Sequence, residues 1–124
     1  MSVHRYLATA LVGTIAPAAL LIAPAAQRHT VDMAQDHYVG HTGSNGSTMV
    51  DRFEAAGYTG WSSLAENVAA GQATAAGVVK AWMKSPGHRA NILNCSLKHI
   101  GVGYVKASGS AGGPYWTQDF GVNF

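Results

Sequence analysis

The organisation of the chain is clearest in residues 82–103, which read WMKSPGHRANILNCSLKHIGVG. The stretch begins on an apolar helical face and breaks at Pro86-Gly87, because proline lacks an amide hydrogen and glycine is conformationally free. His88 follows the break directly, so we expect the backbone rather than side-chain packing to fix its position. The stretch then passes through a second apolar turn into a predicted strand. His88 is therefore the first candidate functional residue.

The N-terminal segment differs in composition from the rest of the chain. Residues 1–27 contain no acidic side chain, carry Arg5 near the start, and hold an apolar run that ends in Ala-Pro-Ala-Ala-Gln. These features are typical of a secretory signal peptide. We predict a signal peptide over residues 1–26 and one secreted domain over residues 27–124. An uncleaved membrane anchor is the alternative, because the apolar run approaches the ~20 residues that a span needs.

Length, charge and cysteine content narrow the class of protein. The 124 residues suffice for one domain. Charged side chains make up 11% of the chain and the net charge is +2, so nucleic acid is not an expected partner. Small secreted domains commonly use disulfides, but Cys95 is the single cysteine. We expect a monomer in which Cys95 can form only an intermolecular disulfide.

Four helices are predicted from periodicity and capping signals, over residues 28–38, 48–56, 75–84 and 88–94. Thr48 and Asp51 have the spacing of a capping box, and Gly57 is suited to end that helix. Thr74 caps the next helix, and Pro86 ends it. A loop rich in glycine, serine and asparagine precedes Thr48.

The C-terminal part of the chain predicts two strands. Residues 99–106 alternate, with Ile100, Val102 and Tyr104 on one face, and residues 114–122 form a second run rich in aromatic side chains. A glycine-rich turn joins them into an antiparallel hairpin. Helices followed by a sheet indicate an α+β fold.

A carboxylate interrupts the apolar residues 64–71, LAENVAAG. Glu66 needs a partner if it is buried, or else lies at a helix end or turn that water reaches. Together with His41 and His88 it could bind a divalent cation, with zinc and a bound water as the first choice. The same three groups could instead carry out acid–base chemistry. Their spacing matches no established ligand signature, so a purely structural role stays open.

Six blocks between His29 and Phe120 stand in a distinctive order: HTVDMA, HTGSNGSTMVDRFEAAGY, AENVAAG, VVKAWMKSPGHRANIL, IGVGY and YWTQDFG. In order and spacing they resemble the CAP superfamily of cysteine-rich secretory, antigen 5 and plant pathogenesis-related class 1 proteins, and most closely its bacterial exported branch. The resemblance implies an α-β-α sandwich with a central cleft. The sandwich is N-terminally shortened here, because the family's first helix has no counterpart.

The resemblance also implies a set of cleft residues. Family members place two histidines and two glutamates in the cleft, and His41, His88 and Glu66 match three of them. Ser85 stands at the position of the second glutamate, which implies an open and weaker cation site.

Asn67 and Asn91 are expected to hydrogen-bond the backbone of the cleft.

Two features set the chain apart from the family. Ala65 replaces the glycine of a Gly-Glu-Asn block, and Cys95 matches a position that in some bacterial relatives bridges to the missing helix. Loss of that helix is expected to expose an apolar face of the sheet.

Three functions are consistent with these residues. The resemblance implies a secreted binding module that holds a divalent cation and an apolar or lipid ligand, with no obligatory cofactor. A metal-assisted hydrolase, peptidase-like or esterase-like, would use Glu66, His88 and Ser85. A structural or vestigial domain is the third reading. No nucleophile elbow surrounds Ser85, so binding is favoured over catalysis. Membrane contact is expected only if residues 1–26 stay attached.

Overall fold

The computed structural model describes residues 17–106 and 112–124, which form four helices and a three-stranded antiparallel sheet. In chain order the elements are α1 (Ala18–Asp36), α2 (Met49–Ala55), β1 (Trp61–Ala70), α3 (Ala75–Met83), α4 (Pro86–Leu93), β2 (His99–Val105) and β3 (Tyr115–Asn123). The predicted α+β class and the C-terminal antiparallel hairpin are confirmed. The predicted turn between the hairpin strands lies largely outside the described residues.

The helix ends follow local polar signals. Thr48 and Asp51 exchange hydrogen bonds between side chain and backbone, which completes the predicted capping box of α2. Gly57 follows that helix with a φ of 94°, a value that glycine adopts without strain. Thr74 accepts a hydrogen bond from the amide of Gly77 at the start of α3. The bounds predicted for α2, α3 and α4 therefore agree with the structure to within two residues.

The sheet has β3 at its centre, with β1 and β2 on either side. Residues 64–71, whose structure the sequence left open, supply most of β1, and Glu66 lies opposite Asp119 of β3. The middle of β1 is buried, because helices lie against both faces of the sheet. A strand buried on both faces lacks the alternation of polar and apolar residues that would have predicted it.

α1 lies against one face of the sheet and comes closest at two glycines of β2. A Cβ at Gly101 would lie 2.6 Å from the amide nitrogen of Ala23, and one at Gly103 would lie 2.5 Å from the carbonyl oxygen of Ala26. Both distances are shorter than van der Waals contact, so only glycine admits the helix. Ile22 is fully buried in this contact region.

α1 also begins well before the helix predicted over residues 28–38. Residues 18–26 belong to the segment predicted as a signal peptide, yet Ile22 and Ala26 are fully buried in the domain. Buried residues therefore lie on both sides of the boundary predicted at residue 27. Removal of the leader stays a prediction, and residues 1–16 lie outside the described part of the chain.

α3 and α4 lie against the other face of the sheet. Val78, Trp82 and Trp116 form an apolar cluster there, and the indole of Trp82 donates to the carbonyl oxygen of Val68 at 3.1 Å. Both tryptophans are buried. α4 is attached to β1 through Asn67, whose side-chain amide donates to the carbonyl oxygen of His88 at 3.1 Å.

On the same face, one row of β2 side chains faces solvent. Ile100, Val102 and Tyr104 are 48%, 53% and 41% exposed. They share a face, as the alternation predicted, while the glycines between them face α1. No helix within residues 17–106 or 112–124 has both the length and the hydropathy to cross a membrane.

Candidate functional site

A buried carboxylate, Glu66, is the centre of a polar cluster between α1, α2 and β1. Arg52 donates to both of its oxygens, from Nη1 to Oε2 at 3.0 Å and from Nη2 to Oε1 at 3.1 Å. His41 Nδ1 lies 2.9 Å from Oε1, and His29 Nε2 lies 3.9 Å from the same oxygen. Two parallel bonds from a guanidinium fix the plane of a carboxylate as well as its charge.

Arg52 also fixes the loop that carries His41. Its Nη2 atom donates to the carbonyl oxygen of His41 at 2.7 Å. The capping box sets the start of α2, and Arg52 lies one turn further on, so the helix delivers the guanidinium to both the loop and β1. The charged side chain of Arg52 thereby connects α2, β1 and the loop that carries His41.

The ring of His41 is held on one side and exposed on the other. Because an ionised carboxylate can only accept, Nδ1 carries the hydrogen that bonds Glu66. That hydrogen bond raises the pKa of His41 above 6.5, against the opposing effect of burial. The side chain is 58% exposed, and a cavity of about 220 Å³ is lined by His41, Met49 and Glu66. The ring can therefore act on an external molecule through Nε2.

Asp119 adds a second carboxyl group to the cluster. It is the register partner of Glu66, so both side chains point to the same face of the sheet, and Asp119 is fully buried. Burial raises the pKa of Asp119 well above its ordinary value, and the hydrogen bond with Glu66 raises it further. A hydrogen bond between two carboxyl groups requires a proton on one of them, and the raised pKa assigns it to Asp119.

The proton on Asp119 explains why Glu66 is ionised although it is buried. Taken as acceptors, the oxygens of Asp119 have no donor within the described residues; a proton makes Asp119 a donor to Glu66 instead. Burial alone would raise the pKa of Glu66, but the hydrogen bonds from His41 and Asp119 and the charge of Arg52 outweigh it and lower the pKa. Glu66 is the ionised member of the pair.

His29, on α1, also belongs to the polar cluster. Its side chain is fully buried, and Nε2 lies 2.7 Å from the carbonyl oxygen of Gly40, so Nε2 carries the ring hydrogen. Burial and then the charge of Arg52 lower the pKa of His29 below 6.5. The ring is neutral at pH 7 and adds no charge beside Arg52.

Four predicted site residues belong to the α4 side of the sheet: Asn67, Ser85, His88 and Asn91. Successive residues of a strand point to opposite faces, so Glu66 faces α1 whereas Asn67 faces α4 and His88. Ser85 is the N-cap residue of α4. Among residues 17–106 and 112–124, no three His, Cys, Asp or Glu side chains are grouped to hold a metal ion. Within these residues His41 and Glu66 are in contact, whereas His88 is not grouped with them as a cation site. The roles of His88 and Ser85 in a cation site or in catalysis stay predictions.

Asn67 and Asn91 make backbone hydrogen bonds next to the cleft, as predicted. Asn91 Nδ2 donates to Asn67 Oδ1 at 2.9 Å and reaches the carbonyl oxygen of Glu66 at 3.4 Å. Asn67 also donates to Gln118 Oε1 at 3.0 Å. These amides hold the backbone at Glu66 from the α4 side of the sheet, so they position the site without lining the opening at His41.

Three members of the cluster, Arg52, Asp119 and His29, were missed from the sequence. For Asp119 a signal existed: a carboxylate inside the aromatic run YWTQDF raises the same question about a buried charge as Glu66 does. Arg52 could have been found from the capping box, because the first turn of the predicted helix directs it toward the loop. His29 carried no comparable signal.

Comparison with sequence families agrees with the fold. Residues 22–120 match the CAP family, described as the cysteine-rich secretory protein family. The uncharacterized protein YkwD of Bacillus subtilis is 39% identical over 99 residues, which cover 80% of this chain and 36% of YkwD. The uncharacterized membrane protein YlbC of the same organism is 31% identical over 92 residues, which cover 74% of this chain and 24% of YlbC. The chain thus spans only about a third or a quarter of these relatives.

Solved structures show the same architecture. An extracellular protein containing an SCP domain from Bacillus anthracis superposes with a TM-score of 0.72 at 28% identity, covering 84% of this chain and 32% of that protein. An outer surface protein from Borrelia burgdorferi has a TM-score of 0.73 at 22% identity, covering 84% of this chain and 74% of that protein, and shares the fold. With a family match across most of its length and this fold, the chain belongs to the CAP family of cysteine-rich secretory proteins.

Proposed function

We propose that this CAP domain is an extracytoplasmic binding module that holds its ligand at the exposed ring of His41. The location is supported by the two structural relatives, one described as extracellular and one as an outer surface protein. The signal-peptide-like composition of residues 1–26 supports it independently.

The observation that carries the proposal is the hydrogen bond between His41 Nδ1 and Glu66 at 2.9 Å on a ring that stays exposed. A carboxylate that holds one ring nitrogen fixes the tautomer and orients the other nitrogen toward a ligand, as in carboxylate–histidine pairs at metal sites. A divalent cation is therefore the first candidate ligand, with zinc as the probe. His41 supplies one protein ligand, so binding should be weak and most coordination positions should be filled by water.

Catalysis by the same cleft has less support. A metal-assisted hydrolase needs a carboxylate free to take a proton from water. Both oxygens of Glu66 accept hydrogen bonds from Arg52, and its pKa is lowered. Such a carboxylate is a weak base, whereas it is well suited to hold His41 in one orientation.

An apolar ligand has a separate location in the fold. Ile100, Val102 and Tyr104 form an exposed apolar row on β2, which supports the lipid part of the prediction. Binding of a fluorescent fatty acid should weaken in Val102→Lys and not in Val79→Lys, a matched change at an exposed valine of α3. Equal binding by both variants would remove this row as the site.

The cation proposal is tested by calorimetric titration of the full chain with zinc. His41→Ala should abolish the binding heat, and His88→Ala, the same change on the opposite side of the sheet, should leave it unchanged. Ring nitrogen shifts in NMR spectra should locate zinc at His41. If His41→Ala retains the heat, or if His88→Ala removes it, the proposed site is wrong.

A further inference from the structure

The outer edge of β2, the edge that faces away from β3, carries an unusual hydrogen-bonding partner. Within residues 17–106 and 112–124, β3 is the only strand that pairs with β2. On the outer edge, Gln27 of α1 bonds one residue through both ends of its side-chain amide. Its Nε2 donates to the carbonyl oxygen of Tyr104 at 3.0 Å, and its Oε1 accepts from the amide of Tyr104 at 2.9 Å. The side chain thus takes the place of a peptide group in a neighbouring strand.

The bonds to Gln27 show which other backbone groups lie on this edge. In an antiparallel pair, residues alternate between bonding the neighbouring strand and pointing away from it. Tyr104 points away from β3, so Val102 and Ile100 do the same. No described residue other than Gln27 bonds this edge. An unpaired row of N–H and C=O groups is a template for a further strand.

Apolar side chains accompany the edge on both faces of the sheet. On the face that carries α3 and α4, Ile100 and Val102 are 48% and 53% exposed. On the other face, Leu20 of α1 is 43% exposed. It precedes Gln27 by seven residues, or two turns, so both side chains lie on the same side of the helix. A strand added to β2 would direct its side chains alternately toward these two faces.

Charge around the edge has one sign. Residues 67–118, which include α3, α4 and β2, contain no aspartate or glutamate. They carry exposed cations at Lys80, Lys84, Arg89, Lys98 and Lys106, and the last two directly precede and follow β2. All ion pairs of the described residues belong to Glu66, so none of these cations has a carboxylate partner there. This side of the molecule is complementary to an acidic partner.

These features together distinguish between possible occupants. In an antiparallel pair of two copies centred on Val102, Lys98 of one copy would oppose Lys106 of the other, and like charges directly opposite are destabilising. An anionic membrane would meet the cations and the apolar side chains, but its hydrocarbon cannot hydrogen-bond a strand edge. An extended acidic peptide satisfies the backbone groups, the apolar side chains and the charges.

We propose that the outer edge of β2 binds an extended acidic peptide segment of another protein as a fourth strand. The peptide backbone bonds Ile100 and Val102, its apolar side chains lie beside theirs, and its carboxylates face Lys98 and Lys106. This mode of recognition is β-strand addition. His41 takes no part, so the inference is independent of the cation proposal. A fatty acid on the same apolar row would make none of the backbone hydrogen bonds.

The test is an NMR titration of the full chain with a peptide of sequence EVTVTVE, blocked at both ends. The peptide should produce saturable shifts at the amides of Ile100 and Val102, and hydrogen exchange there should slow by roughly ten-fold or more relative to the free chain. A form N-methylated at its three central amides keeps every side chain but loses donors, so it should bind roughly ten-fold more weakly. The charge-reversed peptide KVTVTVK should also bind more weakly.

Charge variants of the chain locate the peptide. Lys98→Glu should weaken binding of EVTVTVE several-fold, because the peptide then meets a like charge. Arg28→Glu makes the same change in net charge at an exposed position that lines the cavity between α1 and α2, away from β2. It should bind the peptide as the parent chain does. His41→Ala should also keep the peptide shifts.

Backbone variants test the strand pairing itself. Val102→Pro removes one outward N–H, a change that edge strands tolerate, and should weaken peptide binding roughly ten-fold. Val102→Ile keeps the N–H and should bind as the parent does, and thermal unfolding checks that both variants are folded. Gln27→Ala frees the groups of Tyr104, so slowed exchange in the complex should extend to that amide.

Several results would overturn the inference. Equal binding of the N-methylated peptide would exclude strand addition. Equal losses in Lys98→Glu and Arg28→Glu would show an effect of net charge rather than of this edge. Protection of Ile100 and Val102 that grows with protein concentration in the absence of peptide would make a second copy the occupant. Binding to phosphatidylglycerol vesicles, with no saturable shift from EVTVTVE, would make this face a membrane surface.

Discussion

Asp119 and Glu66 face each other from neighbouring strands as register partners, and one proton lies between their two buried carboxyl groups. Two ionised carboxylates side by side in a buried site would repel strongly. The fold holds the pair by keeping Asp119 protonated and by matching Glu66 with Arg52.

This arrangement predicts that Asp119 lowers the free energy of unfolding at high pH. Its pKa in the folded state lies above the unfolded value, so folding takes up a proton between the two values. The contribution of Asp119 to stability is then complete below about pH 4 and falls as pH rises toward the raised pKa. Each unit of the rise is worth about 1.4 kcal/mol. Asp119→Asn supplies an amide hydrogen in place of the proton and should remove this loss.

Urea unfolding across pH measures the effect. Asp119→Asn should be more stable than the parent chain at about pH 8, and the difference should shrink as the pH falls to about 4 and below, where the parent carboxyl becomes protonated in both states. Glu66→Gln offers a contrast, because it leaves Arg52 without its buried counter-ion and should destabilise the fold. A constant difference between Asp119→Asn and the parent at all pH values would contradict a shared proton.

His41 and His29 should titrate in opposite directions. The hydrogen bond to Glu66 raises the pKa of His41, whereas burial and Arg52 lower that of His29. The stability that His41 gains from Glu66 is therefore complete below about pH 6.5 and is lost as pH rises through the raised pKa. One NMR titration of the ring protons reads both groups. A His41 pKa at or below the His29 value would show that the Glu66 contact is absent in solution.

The close approach of α1 to β2 predicts that Gly103 cannot carry a side chain. A methyl group there would lie 2.5 Å from the carbonyl oxygen of Ala26, and the helix backbone would have to shift. Overpacking of this kind costs about 1–3 kcal/mol, so Gly103→Ala should lower the free energy of unfolding by that amount.

A second glycine supplies the matched control for Gly103. Nothing lies within 4 Å of a Cβ built on Gly87, which is in α4. Gly87→Ala should therefore stabilise the chain by about 0.5–1 kcal/mol through helix propensity. If both variants changed stability in the same direction, contact with α1 would not be the cause of the Gly103 effect.

Two truncations test where the domain begins. Removal of residues 1–16 leaves α1 entire, whereas removal of residues 1–26 deletes the fully buried Ile22 and Ala26. Loss of one buried aliphatic side chain to a cavity costs about 2–5 kcal/mol, a large part of the stability of a small domain. The shorter deletion should show a cooperative thermal transition, and the longer one should lose it. If both truncated chains showed the same thermal unfolding transition, residues 17–26 would not be needed for the fold.

Local sequence signals predicted most helix ends, but they could not predict which side chains of distant elements pair with each other. Thr48, Thr74 and Gly57 act within a few residues of themselves, so the sequence shows their role directly. The partner of Glu66 is Arg52, and the two meet only because β1 and α2 pack together. His88 was assigned to the cleft by resemblance, and in the structure its backbone carbonyl accepts from Asn67, whose side chain points to the face opposite Glu66.

The order of the strands sets when the fold can be completed. β1 and β2 both pair with β3 and with no other strand of the described chain, and β3, Tyr115–Asn123, follows every other described element. Neither outer strand can form its ladder until β3 has been synthesised and has left the ribosome. Such long-range pairing slows folding. Completion of the sheet is therefore a late event that depends on the last described strand.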